Sequence, residues 1–172
     1  MQKLKNSNNK VLTTKWFEID KVPCSPTNNE PYYRLLCSDS VEIIAVTPEK
    51  KIVLVRQFRP AIGIYMLELP AGHINKKESS KKAAQRELKE ETGFVCPSVT
   101  HIGNLVIHSS RVHNKLHSFY GKDAKLSKNV KNIDAEVVLL SEAEFKKAIL
   151  KGEFFETAGL ATYLLSKLRG VL

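Results

Sequence analysis

The sequence predicts an α+β fold in which helices pack on a mixed β-sheet. Short apolar segments of strand length, separated by turn residues, fill most of the chain before residue 70. One long helix-forming segment follows, and further strand segments separate it from two helices near the C-terminus. Strands grouped on both sides of a central helix, instead of alternating strictly with helices, favour this class.

The predicted strands are apolar or alternating segments. They cover residues 11–19, 32–37, 41–47, 52–58, 64–69, 99–107, 116–121 and 135–140. Between them, Pro48 to Lys51 is typical of a hairpin turn, and residues 23–31 form a turn-rich connection.

The strongest predicted helix covers residues 79–92, which are rich in Ala, Lys, Glu, Gln and Leu. Gly93 is well placed to end it in a left-handed conformation. A second helix begins at Ser141, where Ser141 and Glu144 form a capping-box pattern, and a third covers residues 157–168. The polar, Lys-rich segment 122–134 predicts a mobile loop.

Length and composition indicate one globular domain over residues 11–172, preceded by a flexible lead at residues 1–10. Hydrophobic residues make up 42% and charged residues 26%, which excludes a collagen, a coiled coil or a disordered chain. The net charge of +9 fits an anionic partner such as a nucleotide or nucleic acid, or a basic surface without a specific partner.

The cysteines, Cys24, Cys37 and Cys96, are few and far apart, which argues against a disulfide scaffold or a zinc ribbon. The polar N-terminus has no signal-peptide core, and no apolar run reaches the length of a membrane span. We therefore expect a cytoplasmic protein with no membrane partner.

Four carboxylates, Glu78, Glu87, Glu90 and Glu91, lie in the segment GHINKKESSKKAAQRELKEETGF, which begins at Gly72. The last three lie on one face of a helix because they are three or four residues apart. Like charges on one helix face repel each other unless a cation binds between them. A hard divalent cation, which prefers oxygen ligands, is suitable. The alternative is a solvated acidic helix whose lysines supply the ion pairs.

The same segment resembles the Nudix box. That pattern is a Gly, five residues, a Glu, seven residues, and then Arg-Glu-aliphatic-x-Glu-Glu-x-Gly-aliphatic. Phe94 fills the final apolar position, and the remaining matches are Gly72, Glu78, Arg86, Glu87, Leu88, Glu90, Glu91 and Gly93. The resemblance implies a Nudix fold, in which the box forms a loop-helix-loop beside a mixed sheet sandwiched by helices.

The resemblance also implies roles for these residues. Glu87, Glu90 and Glu91 would bind Mg²⁺ or Mn²⁺ and carry catalysis together with Arg86. Glu78, with Arg86, would mainly support the box. The conformational freedom of Gly72 and Gly93 would shape its two loops.

The flanks LVRQFRP, from Leu54, and LELPAG, from Leu67, resemble the ADP-ribose pyrophosphatase branch, which acts on nucleoside diphosphate sugars. In that branch Ala71 would give a carbonyl to the metal and Arg59 would contact substrate phosphate. Arg56 is a second candidate for an anion contact, and Glu68 for binding substrate, metal or water. For either arginine a surface ion pair is the alternative.

The same branch suggests partners for the N-terminal strands. Trp16, Tyr33 or Tyr32 could stack on an adenine, although core packing explains any single ring equally well. Residues 11–37 are expected to contribute to a homodimer.

Two regions depart from that branch. Residues 108–114 replace its Ser-Pro-Gly turn and following acid. His108 and His113 in this segment and His117 just after it could contact phosphate or ribose, bind metal, or belong to a solvated basic loop. The branch also tends to carry a catalytic Glu on a late loop. The candidates here are Asp123, Asp134 and Glu136, or else a glutamate of the box.

The sequence therefore favours a hydrolase of ADP-ribose or a related nucleoside diphosphate sugar. A Nudix hydrolase of another substrate, such as a dinucleoside polyphosphate, an NTP or a capped RNA end, is the first alternative, favoured by the +9 charge. The second is a nucleotide- or RNA-binding module of weak activity, because the late-loop Glu is missing.

Overall fold

The computed structural model describes residues 9–23, 31–128 and 135–172. Helices there are Ser80–Thr92 (α1), Glu142–Leu150 (α2) and Thr157–Leu168 (α3). Strands there are Lys10–Thr13 (β1), Glu18–Pro23 (β2), Pro31–Leu36 (β3), Ser40–Val46 (β4), Lys51–Arg59 (β5), Ile64–Glu68 (β6), Ala71–His73 (β7), Phe94–Val95 (β8), Ser98–Leu105 (β9), Val112–His113 (β10), Leu116–Lys122 (β11), Lys125–Leu126 (β12) and Glu136–Ser141 (β13).

A seven-stranded mixed sheet forms the centre, in the order β13-β5-β4-β11-β9, with β6 paired to β5 and β7 paired to β4. The β4–β11 pair is parallel and the other pairs are antiparallel. A four-stranded sheet, β1-β2-β3-β10, and the short β12-β8 pair complete the pairing.

Helices cover both faces of the central sheet, as the sequence predicts. On β4, Val41, Ile43 and Ala45 pack in one cluster with residues of α1. Ile44 and Val46 point the other way, into a cluster with residues of α2 and α3. Because both faces are buried, β4 is covered along most of its length.

The helix signals in the sequence are confirmed. Ser79 caps α1, and Gly93 ends it with φ 73°, where its N–H donates to the Lys89 carbonyl. Ser141 and Glu144 form the expected capping box on α2.

Two local predictions are wrong. Residues 11–19 form a hairpin and not one strand, because the Thr14 hydroxyl accepts the Phe17 N–H at 2.9 Å and turns the chain between β1 and β2. Segment 122–134 is not a loop throughout, since Lys125–Leu126 pairs with Phe94–Val95. Residues 129–134 lie outside the described part.

The predicted N-terminal lead overlaps the described residues only at 9 and 10, and Lys10 already belongs to β1. Cys37 and Cys96 are free thiols, while Cys24 lies outside the described residues. Among the described residues, no helix is long and apolar enough to cross a membrane.

Candidate functional site

Arg86 on α1 joins the loop before the helix to the helix itself. Its Nε and Nη2 donate to Glu78 at 2.9 and 3.0 Å, and Nη2 also donates to the His73 carbonyl at 2.9 Å. Its Nη1 donates to Glu87 at 2.7 Å and to Glu90 at 3.1 Å. One guanidinium thus compensates three carboxylates, and its hydrogen bonds hold the pKa of Glu78 below its usual range.

The Glu87 carboxylate lies against the backbone of Gly72. A Cβ at position 72 would overlap that carboxylate, so this close approach requires glycine. Burial raises the pKa of Glu87, and the hydrogen bond from Arg86 opposes the rise. The group that approaches the Gly72 backbone so closely is therefore a carboxylate of the protein itself.

Glu91 lies one turn further along α1 and binds the residue before Gly72. Its Oε2 accepts the Ala71 N–H at 3.1 Å. Burial raises the pKa of Glu91 to about 7, although the Ala71 hydrogen bond lowers it. Glu90 differs from Glu87 and Glu91, because 60% of its side chain is exposed.

Arg59, at the end of β5, forks onto Glu68, at the end of β6. Its Nε lies 2.9 Å from both carboxylate oxygens, and its Nη2 lies 2.5 Å from Oε2. Gln57 also donates to Glu68, at 2.9 Å. The Arg59 side chain remains 42% exposed, so part of this cation is accessible to an anion.

A cavity of about 340 Å³ adjoins these groups. Charged residues and the loop backbone line much of it, namely Glu42, Arg59, Glu68, Ala71, Gly72 and Glu156. It thus brings together four residues that the sequence singled out, and the box carboxylates meet it through Ala71 and Gly72.

Sequence reasoning missed Glu42 and Glu156. Glu42 is only 3% exposed, and burial raises its pKa to about 8, with Glu156 and Glu68 adding to the rise and Thr162 opposing it. Glu156 caps α3 by accepting the N–H groups of the first turn. The available signal was a single acid inside the apolar run of β4.

The structure places the aromatic candidates away from this cavity. Trp16 is 70% exposed, with the Lys15 ammonium 4.7 Å from its ring centre, and Tyr33 is 47% exposed. Neither ring lines the cavity in a single chain.

The late-loop candidates also lie elsewhere. Glu136, on β13, forms an ion pair with Arg56 at 3.4 Å. Asp123 follows β11 in a turn with φ 55°, where its charge adds to the effect of burial in raising the pKa of Cys96. Asp134 lies outside the described residues.

The three histidines do not converge. His108 forms a hydrogen bond with Ser110 at 3.0 Å, and His117 lies 3.7 Å from Asp39. His113 lies near Asp20, whose pKa is lowered mainly by its hydrogen bond with Arg34 and to a smaller extent by His113. Among the described residues, no three His, Cys, Asp or Glu side chains converge at metal-site spacing. The box glutamates are included in this finding, since their carboxylates do not converge at metal-site spacing in this structure.

The box contacts, the sheet order and the flanking helices can be compared with known families. The NUDIX domain model matches residues 38–157, well over half of the 172-residue chain. The chain belongs to the Nudix family. The Nudix match includes α1, all seven strands of the central sheet and the charged residues that line the cavity.

Two curated relatives match the same share of this Nudix protein. It is 32% identical over 111 residues to the methanol dehydrogenase activator of Bacillus methanolicus. It is 31% identical over 111 residues to the ADP-ribose pyrophosphatase of Bacillus subtilis (strain 168). Each alignment covers 64% of this chain, and the chain spans about 60% of each relative's length.

A solved structure confirms the fold. The crystal structure of an ADP compounds hydrolase superposes with a TM-score of 0.78, covering 94% of this chain and 91% of that chain. At 21% identity, this likeness concerns the fold alone.

Proposed function

We propose that this Nudix protein hydrolyses the diphosphate linkage of ADP-ribose or a related nucleoside diphosphate sugar, giving AMP (or another NMP) and a sugar phosphate. The observation that carries the proposal is the meeting of the Glu87 and Glu91 carboxylates with the Ala71–Gly72 backbone, beside a cavity that contains Arg59. The name of the Bacillus subtilis relative supports the substrate class.

The donor set fits Mg²⁺ or Mn²⁺. Both ions prefer oxygen ligands, and Glu87, Glu90, Glu91 and the Ala71 carbonyl offer oxygens within one turn of helix and one loop. Among the described residues, no cation forms an ion pair with the partly buried Glu91 as Arg86 does with Glu87, and only the more distant charge of Arg59 opposes the rise of its pKa to about 7. When bound, the metal would neutralise the diphosphate and activate water for attack at phosphorus.

Side chains of this protein would then bind the substrate, position the carboxylates and accept a proton. Arg59, held by Glu68, would bind a phosphate oxygen through its accessible edge, since guanidinium matches phosphate in a bidentate way. Arg86 would hold the box carboxylates in position. Glu87 and Glu91 contact the backbone of Gly72 and Ala71 at the cavity, whereas neither Asp123 nor Glu136 lines it. A glutamate of the box is therefore the favoured proton acceptor.

A substrate panel tests the proposal. The protein is incubated with Mg²⁺ or Mn²⁺ and with ADP-ribose, other diphosphate sugars, dinucleoside polyphosphates, NTPs and capped RNA, and the released phosphate esters are identified. We expect AMP and ribose 5-phosphate from ADP-ribose, and no release after chelation of the metal. Preferred turnover of capped RNA or a dinucleotide would instead support the alternative that the +9 charge favours.

Matched variants separate hydrolysis from binding alone. Glu91→Gln should abolish release, whereas Glu153→Gln, a change at an exposed surface acid, should leave it intact. No release by the unmodified protein from any substrate would overturn the hydrolase proposal and favour a nucleotide- or RNA-binding module. Assembly as a homodimer through residues 11–37, adenine stacking on Trp16 or Tyr33, and residence in the cytoplasm remain predictions.

A further inference from the structure

The cavity has a buried carboxyl that the box chemistry does not use. Glu42 lies in the interior of β4, in register with Ala71 on one neighbouring strand and Ser118 on the other. Its side chain lines the cavity, the residue is 3% exposed, and its Oε2 has no hydrogen-bond partner within the described ranges. A buried acceptor without a partner costs stability, so a group from outside the chain has a clear reason to bind it.

A second carboxyl makes this wall of the cavity rich in acceptors. Glu156 lines the same cavity and caps α3 by accepting the Ala158 N–H at 2.9 Å. It lies close enough to raise the pKa of Glu42. Arg59, the cation that lines this cavity, is already forked onto Glu68, so the two acids have acceptor capacity to spare.

The charges around the cavity restrict what can bind there. A free anion would fit Arg59 but would be repelled by Glu156 and would bring no donor to the Oε2 of Glu42. The box offers three glutamates and a backbone carbonyl to a metal ion, whereas this wall offers the two acids Glu42 and Glu156, which is few for a hard divalent cation. A neutral group with hydrogen-bond donors suits the acidic wall, and an attached phosphate suits Arg59.

A sugar phosphate combines these two features in one small molecule. Its hydroxyl groups donate hydrogen bonds, and carboxyl oxygens accept them. The volume of about 340 Å³ lies at the lower end of the range for small-molecule sites, which suits part of a nucleotide sugar better than all of it.

We propose that Glu42 and Glu156 form a subsite that accepts hydrogen bonds from the hydroxyl groups of the sugar half of the substrate. This subsite rests on the proposed function and makes Glu42 a specificity residue for sugar-bearing diphosphates. The hydroxyl donors supply the partner that Oε2 lacks in the chain.

Two substrates that differ in the second sugar test this subsite. One is ADP-ribose, and the other is the methyl ester of ADP, which keeps the adenosine and the diphosphate but has no second sugar. Replacement of Glu42 by Met removes both acceptors at similar volume. We expect kcat/KM for ADP-ribose to fall about 10- to 100-fold, as for loss of a buried hydrogen bond, with the methyl ester within about twofold.

Two further variants keep the test decisive. Glu42→Gln keeps the volume and one acceptor, so the ratio of kcat/KM for the two substrates should fall about three- to tenfold. Glu153→Gln is the control, because Glu153 is an exposed acid that pairs with Lys151 and does not line the cavity. Its substrate ratio should equal that of the unmodified protein.

Several outcomes would overturn the subsite. Equal losses for both substrates would mean that Glu42 supports the fold or the common chemistry. An increase in the Mn²⁺ concentration needed for half-maximal rate, alike for both substrates, would assign Glu42 to a cation. An unchanged ratio in Glu42→Gln and Glu42→Met would overturn the subsite but leave the hydrolase intact, whereas a lack of turnover by the unmodified protein would overturn both.

Discussion

Glu87 and Glu91 on α1 are partly buried and Glu42 on β4 is fully buried, but the surroundings of these carboxyls differ. Glu87 and Glu90 share the Arg86 guanidinium, which also binds the loop at Glu78. Glu42 on β4 lies opposite Ala71 on β7, and among the described residues its Oε2 has no hydrogen-bond partner. Arg86 therefore holds Glu87 and Glu90 in place, whereas Glu42 depends on protonation or on a ligand.

The largest effect should come from the box, at the carboxylate that Arg86 does not bind in the described structure. We expect Glu91→Gln to lower kcat/KM about 10³- to 10⁴-fold, a loss of about 4 to 5 kcal/mol, because an amide neither ligates metal as strongly nor accepts a proton. The measurement is steady-state hydrolysis of ADP-ribose at saturating Mg²⁺. A loss of less than tenfold would mean that catalysis does not depend on Glu91, so the box and Glu42 would not differ in catalytic importance.

The second effect tests the other side of the comparison through pH. The pKa of Glu42 is raised to about 8 in the folded protein from an ordinary value of 4.5. The stability gained by keeping its proton is fully present below pH 4.5 and is lost as the pH rises through 8. The free energy of unfolding of the metal-free protein should therefore fall between these limits, by on the order of 3 kcal/mol from this group.

Glu42→Met removes that contribution, because an apolar side chain has no proton to lose. Urea unfolding of both proteins at pH 5 and pH 8, without metal, measures the difference. The variant should retain a smaller pH dependence, to which Glu91 contributes with its pKa of about 7. An identical fall in both proteins would show that folding does not raise the pKa of Glu42, and the contrast with the box would be wrong.

The third prediction concerns Arg86, the cation that compensates the box carboxylates and has no counterpart at Glu42 among the described residues. Lys at position 86 keeps the charge but cannot reach Glu78, Glu87 and the His73 carbonyl together, because an ammonium is a point donor and not a fork. We expect Arg86→Lys to lower kcat/KM about 10- to 100-fold, about 1.4 to 2.8 kcal/mol. Arg169→Lys, a change far along the chain at the end of α3, is the control and should behave like the unmodified protein.

The smallest effect concerns the end of α1. Gly93 has φ 73°, a conformation that costs an ordinary L-residue about 1 kcal/mol. Gly93→Ala should lower the free energy of unfolding by about that amount, and Gly93→Asn should lose less because Asn tolerates this region. Thermal unfolding measures both, and equal losses in the two variants would point to crowding instead of backbone strain.

Much of the box could be predicted because its contacts are local in the chain. Spacings of three and four residues on a helix place Glu87, Glu90 and Glu91 together, and the caps at Ser79 and Gly93 set the ends of α1. The strand ends were predicted less well. The turn at Thr14 and the β12–β8 pair arise from individual hydrogen bonds that hydrophobic patterning does not report.

The candidate site extended beyond the prediction where residues distant in sequence meet. Arg59 and Glu68 were singled out separately, and only the β5–β6 pairing shows that they bind each other. Arg56 and Glu136 were assigned to substrate and to the late loop, but cross-strand register joins them in an ion pair. Such pairings depend on strand order, which a single sequence does not report.

By itself, the sequence determined the family, the helix that carries the carboxylates and the class of chemistry, because these follow from local spacing and residue type. Tertiary structure decided the fate of Glu42. In a strand with one solvated face, alternation would place that acid in water. Here α1 and α3 cover opposite faces of the central sheet, so both faces of β4 are buried. Glu42 is therefore buried too, and it lines the cavity together with Glu156.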